Sequence, residues 1–167
     1  MFLSSVCFLL LLSLHSSLGE LSGAAPCDDG WVQATFVDLG CLLFEFNTSY
    51  IWEDAAVYCQ ERWNATLVEI YTEAQHDFLQ VSLNLQEPHH GVRPWWVGGT
   101  DIGREGSWYY TGTLQPVPED PWYKPDNRPS CGLDCNCMCI LPNYQYYAAD
   151  QGCIENLFYP ICQKQVQ

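Results

Sequence analysis

Apolar positions recur at Trp52, Ala55, Ala56, Cys59 and Trp63, the three-and-four spacing of one helix face, so a first helix is expected over 51–63 with Cys59 turned to the core. Glu53 and Asp54 stand in its first turn, where the helix dipole favours anions. Thr72-Glu73-Ala74-Gln75 reads as a capping box opening a second helix, with an apolar face through Ala74, Phe78 and Val81 or Ser82. This helix is expected to stop before Pro88, leaving His89-His90 in a polar loop that lacks a third metal ligand at suitable spacing.

Elsewhere short apolar or aromatic runs lie between turn formers, the pattern of strands. Val32 to Val37 sits between Asp28-Asp29-Gly30 and Asp38-Leu39-Gly40, with Cys27 and Cys41 outside them, and reads as a stapled hairpin. Cys41–Phe46, Leu67–Ile70, Trp95–Asp101, the aromatic unit Glu105–Gly112, Cys139–Leu141 and Tyr144–Tyr147 follow as strand candidates. The Trp and Tyr rings of these runs carry enough area to read first as core.

Between them, Trp122 to Cys139 holds two prolines, at 125 and 129, and four cysteines. Each proline removes a backbone donor and pushes its predecessor toward extended backbone, so a long surface loop is expected, pinned by its cysteines.

Composition changes the picture in two ways. Twenty acidic residues against six basic ones give a net charge of −14, which lacks the basic footprint that nucleic acid or an anionic membrane requires. Ten cysteines point to an oxidising compartment. In agreement, residues 1–19 carry the run Val6 to Leu14, too short to span a bilayer and suited to a signal peptide, with small residues that permit cleavage after Gly19 or as late as Ala24. Cys7 would leave with that segment. No second long apolar stretch suggests a membrane-embedded protein. Asn47-Thr48-Ser49 and Asn64-Ala65-Thr66 are glycosylation sequons, which place Asn47 and Asn64 on the surface of a secreted chain.

The spacing of Cys27, Trp31 and Cys41, the helix WEDAAVYC, LVEI before a second capped helix, WVGGTD, EGSWYYTG and the closing YPIC together resemble a C-type lectin-like domain over residues 27–164. The secreted single-domain form is most similar to perlucin-like invertebrate lectins. The resemblance implies an α+β fold, two helices flanking a mixed, mostly antiparallel sheet with a long loop region. It also implies the pairings Cys27–Cys41, Cys59–Cys162 and Cys139–Cys153. Cys131, Cys135 and Cys137 are then left over, Cys131 pairing with Cys135 or Cys137 and the odd cysteine offering a disulfide-linked dimer.

In sugar-binding members of that family, calcium is held by a Glu-Pro-Asn or Gln-Pro-Asp triplet, a Glu before the next cysteine and an Asn-Asp pair before the following one. On this resemblance the triplet is Lys124-Pro125-Asp126, the Glu position falls on Cys137, and the pair is Ala149-Asp150. An ammonium group has no acceptor and repels a divalent cation, so calcium, the one cofactor implied, has a depleted ligand set. Asp126, Asn127, Asp134 and Asp150 are the oxygen donors remaining for a metal; Lys124, Pro125, Asp126, Asn127 and Asp150 are the ligand-binding candidates.

Three functions fit. The first is a secreted recognition protein binding a carbohydrate or glycoprotein surface, as in invertebrate defence. The second keeps the fold but binds a protein without calcium, through Lys124, Arg128 and the pinned loop. The third is an acidic matrix protein that meets calcium mineral. No nucleophile motif, H-E-x-x-H or phosphate loop supports an enzyme.

Overall fold

A computed structural model describes residues 27–166; the expected signal peptide, its cleavage points and Cys7 lie outside the described residues. Eight strands and two α-helices follow in the order β1 (Val32–Ala34), β2 (Gly40–Phe44), α1 (Trp52–Trp63), β3 (Thr66–Leu67), α2 (Glu73–His90), β4 (Trp95–Thr100), β5 (Tyr109–Tyr110), β6 (Cys137–Ile140), β7 (Ala148–Gln151) and β8 (Tyr159–Lys164). The main path across the sheet is β1-β2-β8-β4-β6-β7, with β3 on β8 and β5 on β4. Every pairing is antiparallel except β4 with β8, so the sheet is mixed and mostly antiparallel.

Period-two alternation divides the core into two layers. Trp95, Val97, Met138, Ile140, Leu42 and Phe44 pack with Leu79 and Leu83 of α2. Their strand neighbours Trp96, Cys137, Cys139 and Cys41 pack instead with Trp52, Ala55 and Cys59 of α1. The helices therefore cover opposite faces of one sheet. Trp52 and Trp96, both buried, donate their indole N–H groups to the carbonyls of Val97 and Tyr50 at 2.9 and 2.8 Å, so these large rings leave no unpaired indole donor.

Helix α1 begins one residue later than expected, after an extended Ile51, and ends as expected at Trp63, where Asn64 takes the left-handed region and its N–H reaches the carbonyls of Cys59 and Gln60. Thr72 caps α2 by accepting from the Gln75 N–H, while the Gln75 side chain accepts from the N–H of Tyr71. The buried face of α2 is Gln75, His76, Leu79 and Leu83, and Val81 is exposed, so the helix is rotated from the face read in sequence. It also runs through Pro88 to His90, where the proline removes only one bond in the last turn and the Gly91 N–H still closes on Glu87. His90 stacks on Phe46 with centroids 3.8 Å apart and is not in a loop.

Tyr144–Tyr147 is not a strand. Pro142–Tyr144 forms one 3-10 turn, Gln145 and Tyr146 take positive φ, and the strand begins at Ala148.

Among the described residues four disulfides join Cys27–Cys41, Cys59–Cys162, Cys131–Cys135 and Cys137–Cys153. The expected Cys139–Cys153 pairing is thus corrected, and the antiparallel register gives the reason. Cys137 lies opposite Gln151, two residues from Cys153, whereas Cys139 lies opposite Ala149, four residues away and ~13 Å along the strand. Cys139 is the unpaired thiol among the described residues and is fully buried. It packs in the layer under α1, so among the described residues the expected odd-cysteine dimer has no exposed thiol to use. Burial pushes this thiol well above its ordinary pKa, with the Asp150 charge adding to the effect.

Two phenols tie surface segments to this frame. Burial and then the hydrogen bond to Glu45 push Tyr58 up to about 12, and burial is the largest influence raising Tyr71, bonded to Glu69 and Thr113, to about 12. A folded-state pKa raised above the ordinary value of 10.0 means that the neutral phenol favours the fold. That stability is complete below pH 10 and is lost as pH rises from 10 to 12. Alkaline titration followed by phenolate absorbance should show Tyr58 and Tyr71 among a set of late-ionising tyrosines that also includes Tyr110, Tyr146 and Tyr147, with a fall in stability as they ionise; ordinary titration of all tyrosines would contradict this.

Candidate functional site in the long loop

The loop is anchored at its start by Trp122, buried and packed edge-on against Trp108 with centroids 4.8 Å apart. Lys124–Asp126 then forms a single 3-10 turn, closed by Asn127 in the left-handed region, whose N–H bonds to the Lys124 carbonyl at 2.9 Å. A second turn, Gly132–Asp134, sits inside the small Cys131–Cys135 ring. The prolines exclude an α-helix here but not these isolated turns, whose first positions tolerate proline.

The reversal at Asn127 brings Arg128 inward to Asp150 on β7. The Arg128 Nη1 donates to Asp150 Oδ1 at 3.1 Å, and the backbone N–H groups of Ser130 (2.8 Å) and Cys131 both donate to Oδ2. Nη2 donates to the Tyr144 hydroxyl at 2.7 Å, and Tyr144 stacks on Tyr123 at 4.4 Å between centroids with only 11° between planes. Asp150 is 1% exposed as a side chain and Arg128 16%. Burial is the largest influence on the guanidinium and pulls its pKa down, but the bonds and charges of Tyr144 and Asp150 together raise it above the ordinary value. The planar, permanently charged fork of arginine matches a carboxylate and an adjacent hydroxyl in a way that an ammonium cannot.

The carboxylate that the family pattern offers to calcium is therefore occupied by a cation from its own chain. Lys124, Pro125, Asp126 and Asn127 lie in an exposed turn, and the Lys124 ammonium donates to the Glu119 carbonyl. Asp134 is also exposed, and none of these side chains hydrogen-bonds to Asp150. The proline-centred triplet that meets Asp150 is Arg128-Pro129-Ser130, four residues later than the triplet chosen from sequence. With Cys137 now the partner of Cys153, the expected Glu position moves by two residues to Cys135, which is oxidised and offers no oxygen. Ala149 is fully buried on the α1 face. Among the described residues no group of three or more His, Cys, Asp or Glu side chains is placed to hold a metal ion.

A direct consequence can be measured. If Lys124-Pro125-Asp126 and Ala149-Asp150 were the metal motif, Lys124→Gln with Ala149→Asn would strengthen calcium binding. The geometry predicts no gain, and a loss of about 1–3 kcal/mol in stability from an amide forced into an apolar layer, read by urea unfolding. A gain in calorimetric calcium affinity would contradict it.

The second triplet was legible as a repeated X-Pro-X pattern, but choosing between the two required knowing which cysteine pairs with Cys153. Two further acids lie near the Arg128 centre. Asp101, buried at the end of β4, accepts from the Gly106 N–H at 2.8 Å through Oδ2, and its Oδ1 has no partner. Glu105 is fully exposed; desolvation is the largest influence raising its carboxyl, with the charges of Asp101 and Asp150 adding to it. Their signal was the four-residue spacing of two acids around a glycine turn just after a strand.

Beside the Arg128 centre, Trp108, Tyr109, Pro116, Pro118, Lys124 and Pro129 line a groove of about 670 Å³. The loop face therefore presents aromatic and proline surface around a closed ionic centre.

The fold and this loop define the class of protein. Residues 48–164 match the family model described as the lectin C-type domain, and the chain belongs to that family. Similar solved structures include a calcium-independent type II antifreeze protein (20% identity, 87% of this chain and 99% of that one, TM-score 0.71). The carbohydrate-recognition domain of cow CD23, solved in the presence of an oligosaccharide, matches at 23% identity over 85% and 98% of the two chains with TM-score 0.66. Human lithostathine matches at 21% identity over 83% and 99%, TM-score 0.68. At these identities the likeness establishes the fold alone. No curated protein sequence matches the chain.

Proposed function

We propose that this chain is a secreted, calcium-independent recognition module of the C-type lectin-like fold, which engages a protein or glycoprotein surface through its loop face. The observation that carries this reading is the Arg128–Asp150 pair, completed by the N–H groups of Ser130 and Cys131. All of these donors converge on a carboxylate that a calcium-bridged sugar would need free. Calcium wants six to eight oxygens, and here the triplet supplies a guanidinium, the Glu position a disulfide and the Asn position a buried methyl group.

Secretion is supported by the apolar leader, the four disulfides and the two sequons, whose Asn47 and Asn64 are both exposed. Within the described residues no helix is long and apolar enough to cross a membrane. The perlucin-like grouping rests on the sequence motifs alone, as does a role in invertebrate defence. The reading assigns the chain binding and no catalysis.

A ligand that binds only the native state stabilises it by about 2.7 kcal/mol at a hundred times its dissociation constant. The unfolding midpoint of the disulfide-intact protein is therefore expected to be the same in millimolar calcium and in chelator. A midpoint that rises with calcium concentration would overturn the reading.

A further inference from the structure

A second pocket, of about 390 Å³, shares Trp122 and Lys124 with the groove and is also lined by Glu73 at the start of α2. We propose that this pocket receives a basic side chain, an alkylammonium or guanidinium group, from a protein partner. The inference rests on the calcium-independent reading above and gives its partner a chemistry.

Aromatic rings and carboxylates converge there. Trp122, Tyr123 and Tyr147 line the pocket together with Glu73 and Asp120. The Tyr123 and Tyr147 centroids are 6.4 Å apart with 46° between planes, two tilted walls between which one cation can lie within about 6 Å of both rings. Each ring is held from behind. Tyr144 stacks on Tyr123 at 4.4 Å, and the buried His76 stacks on Tyr147 at 3.7 Å, so one face of each ring is backed by a neighbour while both rings line the pocket. A wall fixed in this way loses little entropy on binding.

The charges favour a cation. Glu73 and Asp120 are exposed at the rim, and the Tyr147 phenol is raised by burial and then by the charges of Glu73 and Asp77, so those acids act at the ring's polar end. Lys124 contributes the one basic side chain of the lining, and its ammonium is drawn to the Glu119 carbonyl, a residue of the neighbouring groove. An acid pair on an aromatic floor discriminates a cation from a neutral chain of the same length, because cation–π attraction and the carboxylates act on charge while apolar contact is common to both. A calcium ion, which needs a dense oxygen shell, is a poor fit for rings and two rim carboxylates.

The test uses the disulfide-intact mature protein in chelator, titrated with N-acetyl-lysine methylamide, N-acetyl-arginine methylamide and the neutral N-acetyl-norleucine methylamide. The Tyr123 and Tyr147 ring resonances report binding. Saturable shifts at roughly millimolar strength with the two cations, and at least a fivefold weaker response with norleucine, are expected. Glu73→Gln with Asp120→Asn should weaken the cations about tenfold and lower the unfolding midpoint by no more than a few degrees, since both sites are exposed and Glu73 contributes only its first-turn interaction with the α2 dipole. Glu53→Gln with Asp54→Asn removes the same charge from α1, away from the pocket, and should change the affinity less than twofold.

Equal response to the neutral probe, no shift at all, or equal weakening by the two double variants would each overturn the pocket assignment. Because calcium is absent throughout, these outcomes bear on Glu73 and Asp120, and a calcium titration bears separately on Asp150.

Discussion

Replacing Arg128 by methionine should lower stability by about 3–5 kcal/mol, the cost of leaving one partner of a buried ion pair uncompensated. Asp150 is 1% exposed as a side chain and would keep only the N–H groups of Ser130 and Cys131. For a domain of this size the loss corresponds to a fall of roughly 10–15 °C in unfolding midpoint. Methionine preserves much of the packing volume, so the measurement isolates charge more than cavity. Adding Asp150→Asn to Arg128→Met should recover part of the loss, because a neutral amide costs less to bury than a lone carboxylate, and a double-mutant cycle by urea unfolding would give the coupling. A single-variant loss below about 1 kcal/mol would mean that the pair is only a surface contact. The loop should suffer first, since Arg128 also holds Tyr144 and, through its ring, Tyr123.

Removing the Cys59–Cys162 bridge by two alanine substitutions should cost up to ~4.7 kcal/mol, the chain-entropy value for a loop of about a hundred residues. This bridge closes a separation of 103 residues and joins α1 to β8, which itself lies between β2 and β4. Both sulfurs are fully buried, and alanine leaves a small cavity without adding a polar group. The Cys27–Cys41 bridge, with a separation of 14, should contribute less, ~3 kcal/mol by the same model, and it fastens only the edge hairpin of β1 and β2. Comparing the two double variants by denaturant unfolding tests the ranking; a larger loss from the Cys27–Cys41 pair would contradict it.

Sequence patterning gave much of this architecture because its signals are local. The spacing of Trp52, Ala55 and Cys59 set α1, and Thr72 with Gln75 set the start of α2. The helix runs past the expected stop because Pro88 removes a single ladder bond and only two helical residues follow it, with the Gly91 N–H still closing on Glu87. The site was harder to read for a different reason. Lys124-Pro125-Asp126 and Arg128-Pro129-Ser130 look alike in sequence, and what separates them is the long-range pairing of Cys137 with Cys153 and the register of β6 on β7. Cys137 and Cys139 point to the same sheet face, so periodicity alone cannot choose between them. The pocket near Tyr147 was invisible for a similar reason: Glu73, Tyr123 and Tyr147 come from three separate segments.

On the proposed calcium-independent reading, an internal guanidinium fills the place of calcium. Its most direct test is a calorimetric titration of calcium into the disulfide-intact mature protein, with and without galactose and mannose. No saturable heat is expected in any arm, because Asp150 is already satisfied by Arg128, Ser130 and Cys131. Stoichiometric calcium binding that either sugar tightens would contradict it and would show that the loop opens the Arg128–Asp150 pair to build a sugar site.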